Sequence, residues 1–376
     1  MRIPRLVTGL VVVAAAVAMT AVPAAADPPG GTTPKANAIV GVGSDTIEYV
    51  FDQFAHDYDA SHRSGPQLYS WDATNPKTQA IGDSIKFKGG CQSEPRPDGS
   101  GAGLTAVSTN EGGRTGGHPC TDFGRSSSAR STTAPPYATG GVAFVTLAGD
   151  AVTYATESGS NAPSNLTTAQ LTEIYECQVT NWGQLGGKNA PIQAFLPQTS
   201  SGTRSFFLKA IGVSSPGSCV SDGNNTIEEN EGYNSYLHSP NAIFPYSIGK
   251  YLAEEHHSAS CLKSSCTAVN GVVCKPHAGQ NTFGCNTHGA MILRSINGTA
   301  PVSGSGSHQV INQAFTSAFV RTLFEIVRFT ASTGDHIPAY LEPLFGANGW
   351  VCTSPVAKAD LLNYGFIILP SCGHTD

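Results

Sequence analysis

A chain of 376 residues is too long for one compact hydrophobic core, so two domains are expected. Charged residues make up only 13% of it and the formal net charge is −6, which leaves no basic face for nucleic acid. Any selectivity for an anion must then come from local dipoles and a few arginines rather than bulk charge.

Arg2 and Arg5 precede an apolar run from Leu6 to Val22, and Ala24-Ala25-Ala26 ahead of Asp27 forms an A-x-A cleavage pattern. Residues 1–26 are therefore expected to be a signal peptide and the mature chain to start at Asp27. The apolar run is short for a stable membrane span, and no second long one follows. Residues 27–36, rich in Pro, Gly and Thr, read as a disordered leader. Residues 37–42 form a short apolar strand that runs into G-S-D-T. A helix follows, in which Ile47, Val50, Phe51 and Phe54 share one face. Ser44 or Asp45 is expected to cap it, with Asp45 and Glu48 at capping-box spacing.

Residues 61–120 are loop-rich, with a strand at 85–87, the turn P-D-G-S-G-A-G and a short helix starting over 104–107. Residues 142–147 are strongly β-like and are expected to cross into the second domain. A helix spans 167–175, beginning at Thr167, and a strand covers 192–196 before S-S-G-T-R opens another helix. Residues 302–309 read as a Gly/Ser linker. Residues 313–330 carry the longest helical pattern, with Phe315, Phe319, Leu323, Phe324, Ile326 and Val327 on a broad apolar face. Strands alternating with helices predict α/β units with mostly parallel sheets.

All ten cysteines follow the cleavage pattern, and an even count after a secretion signal argues for disulfides. Near-neighbour pairing would join Cys91 to Cys120, Cys177 to Cys219 and Cys352 to Cys372. Cys261, Cys266, Cys274 and Cys285 would form two further pairs in a surface excursion over 255–290. The sequence does not settle this connectivity. With His277 and His288 these four could instead hold zinc, but no paired C-x-x-C knuckle is present and the compartment is oxidising. No metal and no cofactor are expected.

Four short segments share one chemistry: G-V-G-S-D-T (41–46), G-S-G-A-G (99–103), F-G-R-S-S-S-A-R (123–130) and S-S-G-T-R (200–204). Each is rich in hydroxyls and glycine, and at least the first and last sit where a strand gives way to a helix. Free backbone N–H groups and the helix dipole make such a turn an oxyanion seat. Ser44, Asp45, Thr46, Ser100, Gly101, Ser126, Ser127, Ser201, Gly202 and Thr203 are the candidate ligand contacts. Arg125, Arg130 and Arg204 are the candidate cations. Each turn taken singly is equally an ordinary cap. Tyr69 and Trp71 read as packing residues, and Tyr246 as structural.

The ordered set L-T-T-A-Q-L-T-E-I-Y (166–175), N-W (181–182) and S-G-T-R (201–204) resembles the phosphate-binding proteins that feed phosphate ABC transporters. The resemblance implies a two-lobed α/β periplasmic-binding-protein-like (type 2) fold with a central mixed, mostly parallel sheet in each lobe. Lobe 1 would comprise 37–140 plus 313–376, and lobe 2 would comprise 141–312. It implies contacts to a tetrahedral anion from Asp45, Thr46, Ser100, Ser127, Ser201, Gly202 and Thr203. The partners implied are inorganic phosphate and a membrane permease. A monomer is expected, secreted or periplasmic, and not lipid-anchored because no Cys lies near the cleavage site.

Two positions depart from the family pattern. Ser127 stands where an Asp commonly accepts the proton of hydrogen phosphate, and Pro197 stands where an Arg is common. Asp45 is the candidate replacement acceptor, with a plain helix cap as its other reading. No G-x-S-x-G elbow, Walker pattern or dinucleotide fingerprint occurs, so no catalytic residue is assigned. The rival readings are a secreted phosphatase-like hydrolase on the same cradle and a relative that has lost its ligand.

Overall fold

A computed structural model describes residues 27–28, 32–75, 78, 80–131, 135, 138, 140–256, 287–331 and 336–375. Its centre is a ten-stranded mixed sheet. The strands are β1 (Ile39–Gly43), β2 (Leu68–Ser70), β3 (Phe123–Ser126), β4 (Val142–Glu157), β5 (Gln193–Phe195), β6 (Val220–Ser221), β7 (Ala242–Ser247), β8 (Met291–Leu293), β9 (Val320–Arg328) and β10 (Ile367–Ile368). The order runs β6-β5-β7-β4-β9-β3-β1-β2, with β8 and β10 also on β4.

Pairing is parallel towards both ends, β2-β1-β3 and β6-β5-β7. It is antiparallel in the middle, where β4 and β9 meet each other and their neighbours. The long β4 serves two cores. Val145, Leu147 and Ala148 join Phe51, Phe54, Phe123, Leu323 and Phe345. Ala151, Val152 and Tyr154 join Trp182, Leu196, Phe207 and Phe319. A β-rich run of 16 residues, buried on both faces for almost its whole length, is thus the shared spine of two packed halves.

The helices are α1 (Glu48–Ser61), α2 (Gly99–Thr109), α3 (Thr168–Tyr175), α4 (Gly202–Ala210), α5 (Ile248–His256), α6 (Glu342–Phe345), α7 (Trp350–Thr353) and α8 (Pro355–Asn363). The Thr167 side chain and Gln170 form a capping box on α3, and Ser201 caps α4. The segment after β9 returns to the first half, where Trp350 packs edge-on against Phe54 and Tyr58 of α1. Among the described residues, no helix is long and apolar enough to cross a membrane.

Three expectations are corrected. Residues 313–330 are not a helix: 320–328 form β9, the central strand beside β4. A strand covered on both faces carries no period-two alternation, and its apolar run meets helical spacing by chance. The helix expected from Leu104 starts at Gly99. Its glycines let it lie backbone to backbone on the sheet: a Cβ on Gly103 would be 3.0 Å from the Gly43 Cα. The 27–36 stretch is also no free leader where described, because Asp27 forms a two-pronged pair with Arg96 and Pro34 accepts from the Gly89 N–H.

The Cys91–Cys120, Cys177–Cys219 and Cys352–Cys372 disulfides are formed as near-neighbour pairing implies. Cys261, Cys266, Cys274 and Cys285 lie outside the described residues, as do residues 1–26.

Candidate functional site

Each hydroxyl-rich turn is held from beneath. β1 ends in Gly43 at φ +115°, where a Cβ would sit 2.7 Å from the Arg125 carbonyl oxygen. The turn that follows presents Ser44 and Thr46. The Arg125 guanidinium clamps it from within the half: Nε donates to the Ser44 carbonyl at 2.9 Å, Nη2 to that of Gly43 at 3.1 Å and Nη1 to Ser70 Oγ at 2.8 Å. The Ser127 N–H, beyond the end of β3, donates to Ser100 Oγ of α2 at 3.0 Å, and the two hydroxyls lie 3.2 Å apart. From the other half, Ser201 caps α4 by accepting the Arg204 N–H at 3.0 Å.

These turns meet because glycine leaves room. A Cβ on Gly202 would lie 2.3 Å from Ser100 Oγ and 2.4 Å from Ser127 Oγ. Beside it, the Gly101 N–H donates to the Ser200 carbonyl at 2.9 Å and Ser200 Oγ donates to the Asp98 carbonyl at 2.6 Å, which ties α2 to the turn before α4.

At the meeting point sits a carboxylate of the chain itself, Glu229, 1% exposed. One of its oxygens, Oε1, accepts from Ser44 Oγ at 2.8 Å, Thr46 Oγ1 at 3.2 Å and Ser127 Oγ at 3.5 Å. The other, Oε2, accepts from Ser201 Oγ at 2.5 Å and the Thr203 N–H at 2.9 Å. The cation is Arg321 on β9. Its Nη1 donates to the Ser127 carbonyl at 2.9 Å and Thr203 Oγ1 at 3.1 Å, while Nε bonds Asp150 Oδ2 of β4 at 2.9 Å.

Burial pushes the Glu229 carboxyl up. The hydrogen bond from Asp45, the Arg321 charge, Ser201 and the Thr203 N–H more than offset it, and the carboxyl falls to about 2. Asp45 moves the other way: burial first, then the Glu229 charge, hold it well above the usual carboxylate range. Of the two carboxyls, Asp45 is the one whose neutral form prevails, favoured by burial.

Ser44, Asp45, Thr46, Ser100, Ser127, Ser201, Gly202 and Thr203 are thus brought together, with Gly101 at the edge. Arg125, Ser126 and Arg204 are not. Arg125 is spent on the Gly43 and Ser44 carbonyls and Ser70 Oγ, Ser126 Oγ donates to the Ser128 carbonyl, and Arg204 holds the Pro197 carbonyl and Asp222. Arg130 binds the Val142 carbonyl. Neither Ser44 nor Asp45 caps a helix with its side chain, because both are turned to the carboxylate. Tyr69 and Trp71 pack in the first half, and Tyr246 is buried at the back of the cradle.

Glu229 and Arg321 were missed in the sequence. The cue for Glu229 was E-E-N-E at 228–231, three carboxylates in a chain poor in charge. For Arg321 it was an arginine inside the apolar segment 319–327.

The family model that matches residues 28–268 describes a PBP superfamily domain. The chain belongs to the PBP superfamily. Solved structures agree on the fold. One is an ABC-type phosphate transport receptor from Vibrio cholerae, 18% identical with a TM-score of 0.50, matched over 88% of this chain and 100% of that one. Another is a putative phosphate ABC transporter substrate-binding protein with bound phosphate from Clostridium perfringens, 14% identical with a TM-score of 0.51, over 89% and 100%. No curated protein matches the chain in sequence. In this PBP superfamily member, the hydroxyl-rich turns of the two packed halves meet at Glu229.

Proposed function

We propose that this chain is a secreted substrate-binding protein that captures an inorganic oxyanion, phosphate above all, between its two halves and delivers it to an ABC-transporter permease. The observation that carries this reading is the convergence of four hydroxyls, one backbone N–H and a neighbouring arginine on a single buried anionic group. A carboxylate and a phosphate ask the same of such a site: donors on several sides and little water. The two solved relatives named above are described as phosphate transport proteins, which supports phosphate among the oxyanions. The apolar run and A-x-A pattern before Asp27 support secretion.

Binding rather than hydrolysis fits the electrostatics. The carboxylate beside Ser201 has its affinity for protons lowered to about 2, which makes it a poor general base. Isothermal titration with phosphate, sulfate and arsenate tests the reading; phosphate should bind, and heat from none of the three would reject it. Turnover of p-nitrophenyl phosphate, with or without zinc, would favour the hydrolase. A second reading, a relative that keeps the fold without a solute, is favoured by one observation: Glu229 already satisfies the cradle.

A further inference from the structure

The position of Glu229 deepens the proposed function and rests on its premise that the cradle accepts an anion. The two carboxylate oxygens take the Ser44, Thr46 and Ser201 hydroxyls of the first and fourth turns, together with the Thr203 N–H. The backbone on either side is fixed independently of those contacts. Ile227 is buried among Phe195, Phe244 and Tyr246, and its carbonyl accepts the Gln198 N–H at 2.7 Å. The Asn230 carbonyl accepts from Tyr246 and from Thr287 Oγ1, its Oδ1 accepts the Ser247 N–H at 3.0 Å, and its Nδ2 donates to Thr46 Oγ1 at 3.1 Å. Rotation of the Glu229 side chain alone would therefore empty the cradle, with the segment that carries it left in place.

We propose that Glu229 is a tethered occupant of the oxyanion cradle, a built-in competitor that a solute must displace before it can bind. A tethered group acts at a high effective concentration, so it lowers apparent affinity without touching the solute. It also filters solutes. A weakly held anion cannot evict it, whereas one with more acceptor oxygens than a carboxylate can. Once displaced, the carboxylate remains nearby and repels a bound dianion, which favours release. If the cradle is free about 1–10% of the time, removing the occupant should tighten binding about 10- to 100-fold.

The test uses the full mature chain as wild type, Glu229→Ala and Glu229→Gln. Each is titrated calorimetrically with inorganic phosphate and melted with and without sodium acetate, which restores the missing carboxylate as a free ion. The expected result is about tenfold or greater tightening for phosphate in Glu229→Ala, a smaller gain in Glu229→Gln, and an acetate-dependent rise in melting temperature in Glu229→Ala only. Stabilisation of Glu229→Ala by acetate with no phosphate binding in any form would keep the occupant and remove phosphate as the solute. Equal phosphate affinity in wild type and Glu229→Ala, weaker binding in Glu229→Ala, or no response of that variant to either anion would overturn the proposal. Should Glu229→Ala fail to fold, Glu229→Gln decides alone: tighter phosphate binding, or stabilisation by phosphate beyond that of wild type, supports the occupant, and the absence of both overturns it.

Discussion

Replacing Arg321 by methionine keeps most of the side chain's apolar stem and removes the guanidinium. Nε and Nη2 bridge Asp150 Oδ2 at 2.9 and 2.8 Å, and Nη1 holds the Ser127 carbonyl and Thr203 Oγ1. Asp150 is fully buried, so the change strands a carboxylate inside the sheet. Deleting one partner of a buried pair costs about 3–5 kcal/mol. Asp150 keeps Ser247 Oγ at 2.8 Å and the Gly249 N–H at 3.0 Å, so the lower end, about 3 kcal/mol, is expected here. Combining Arg321→Met with Asp150→Asn should recover about 1–3 kcal/mol relative to the sum of the single changes. The assay is equilibrium urea unfolding followed by far-UV circular dichroism and tryptophan fluorescence. Trp182 reports on the second core and Trp350 and Trp71 on the first half, so variants that keep only Trp182 or only Trp350 would see the two halves separately. A loss below about 1 kcal/mol, or a strictly additive double variant, would refute the claim that this pair joins the cradle to the β4–β9 spine.

Three further outcomes are expected. Because the Asp45 carboxyl titrates above its ordinary range in the folded chain, the native state holds a proton that the unfolded chain has released. Its contribution to stability is therefore largest at low pH and falls as pH rises from the ordinary carboxylate range towards the raised value, by up to about 1.4 kcal/mol per pH unit. Asp45→Asn keeps a neutral donor beside Glu229 at every pH, so its stability relative to wild type should improve from about pH 5 to about pH 8; parallel curves would count against a proton on Asp45. Gly202→Ala drives a methyl into Ser100 and Ser127 and should lower stability by about 1–3 kcal/mol in thermal melts, whereas an unchanged melting temperature would mean the halves do not approach so closely. Removing the Cys177–Cys219 bridge, which spans 42 residues, should cost about 4 kcal/mol in denaturant unfolding; a loss under about 1 kcal/mol would show that the chain between them is held by other contacts.

Much of this protein could be read from neighbouring residues. A strand ending in glycine and hydroxyls, a threonine three places before a glutamine, and cysteines close along the chain all express local rules, and β1, α3, α4 and three disulfides follow them. The donors of the cradle belong to the same class, since each turn displays its own hydroxyls. What those donors face was not legible. Ser44 meets Glu229 across 185 residues and Ser127 meets Arg321 across 194, and no local spacing encodes such pairs. Arg321 was hidden further because a strand buried on both faces looks helical in its apolar pattern.

The sequence by itself determined the turns and their hydroxyl chemistry, because these depend on backbone preference; the boundaries it drew at 141 and 313 are crossed, since Val145 and Leu147 pack in the first core and Phe315 and Phe319 in the second. Only the tertiary structure decided which anion sits among them and which cation stands behind it. Charges buried together are selected by the cost of leaving each one unpaired, and that cost exists only once the chain has brought them out of water.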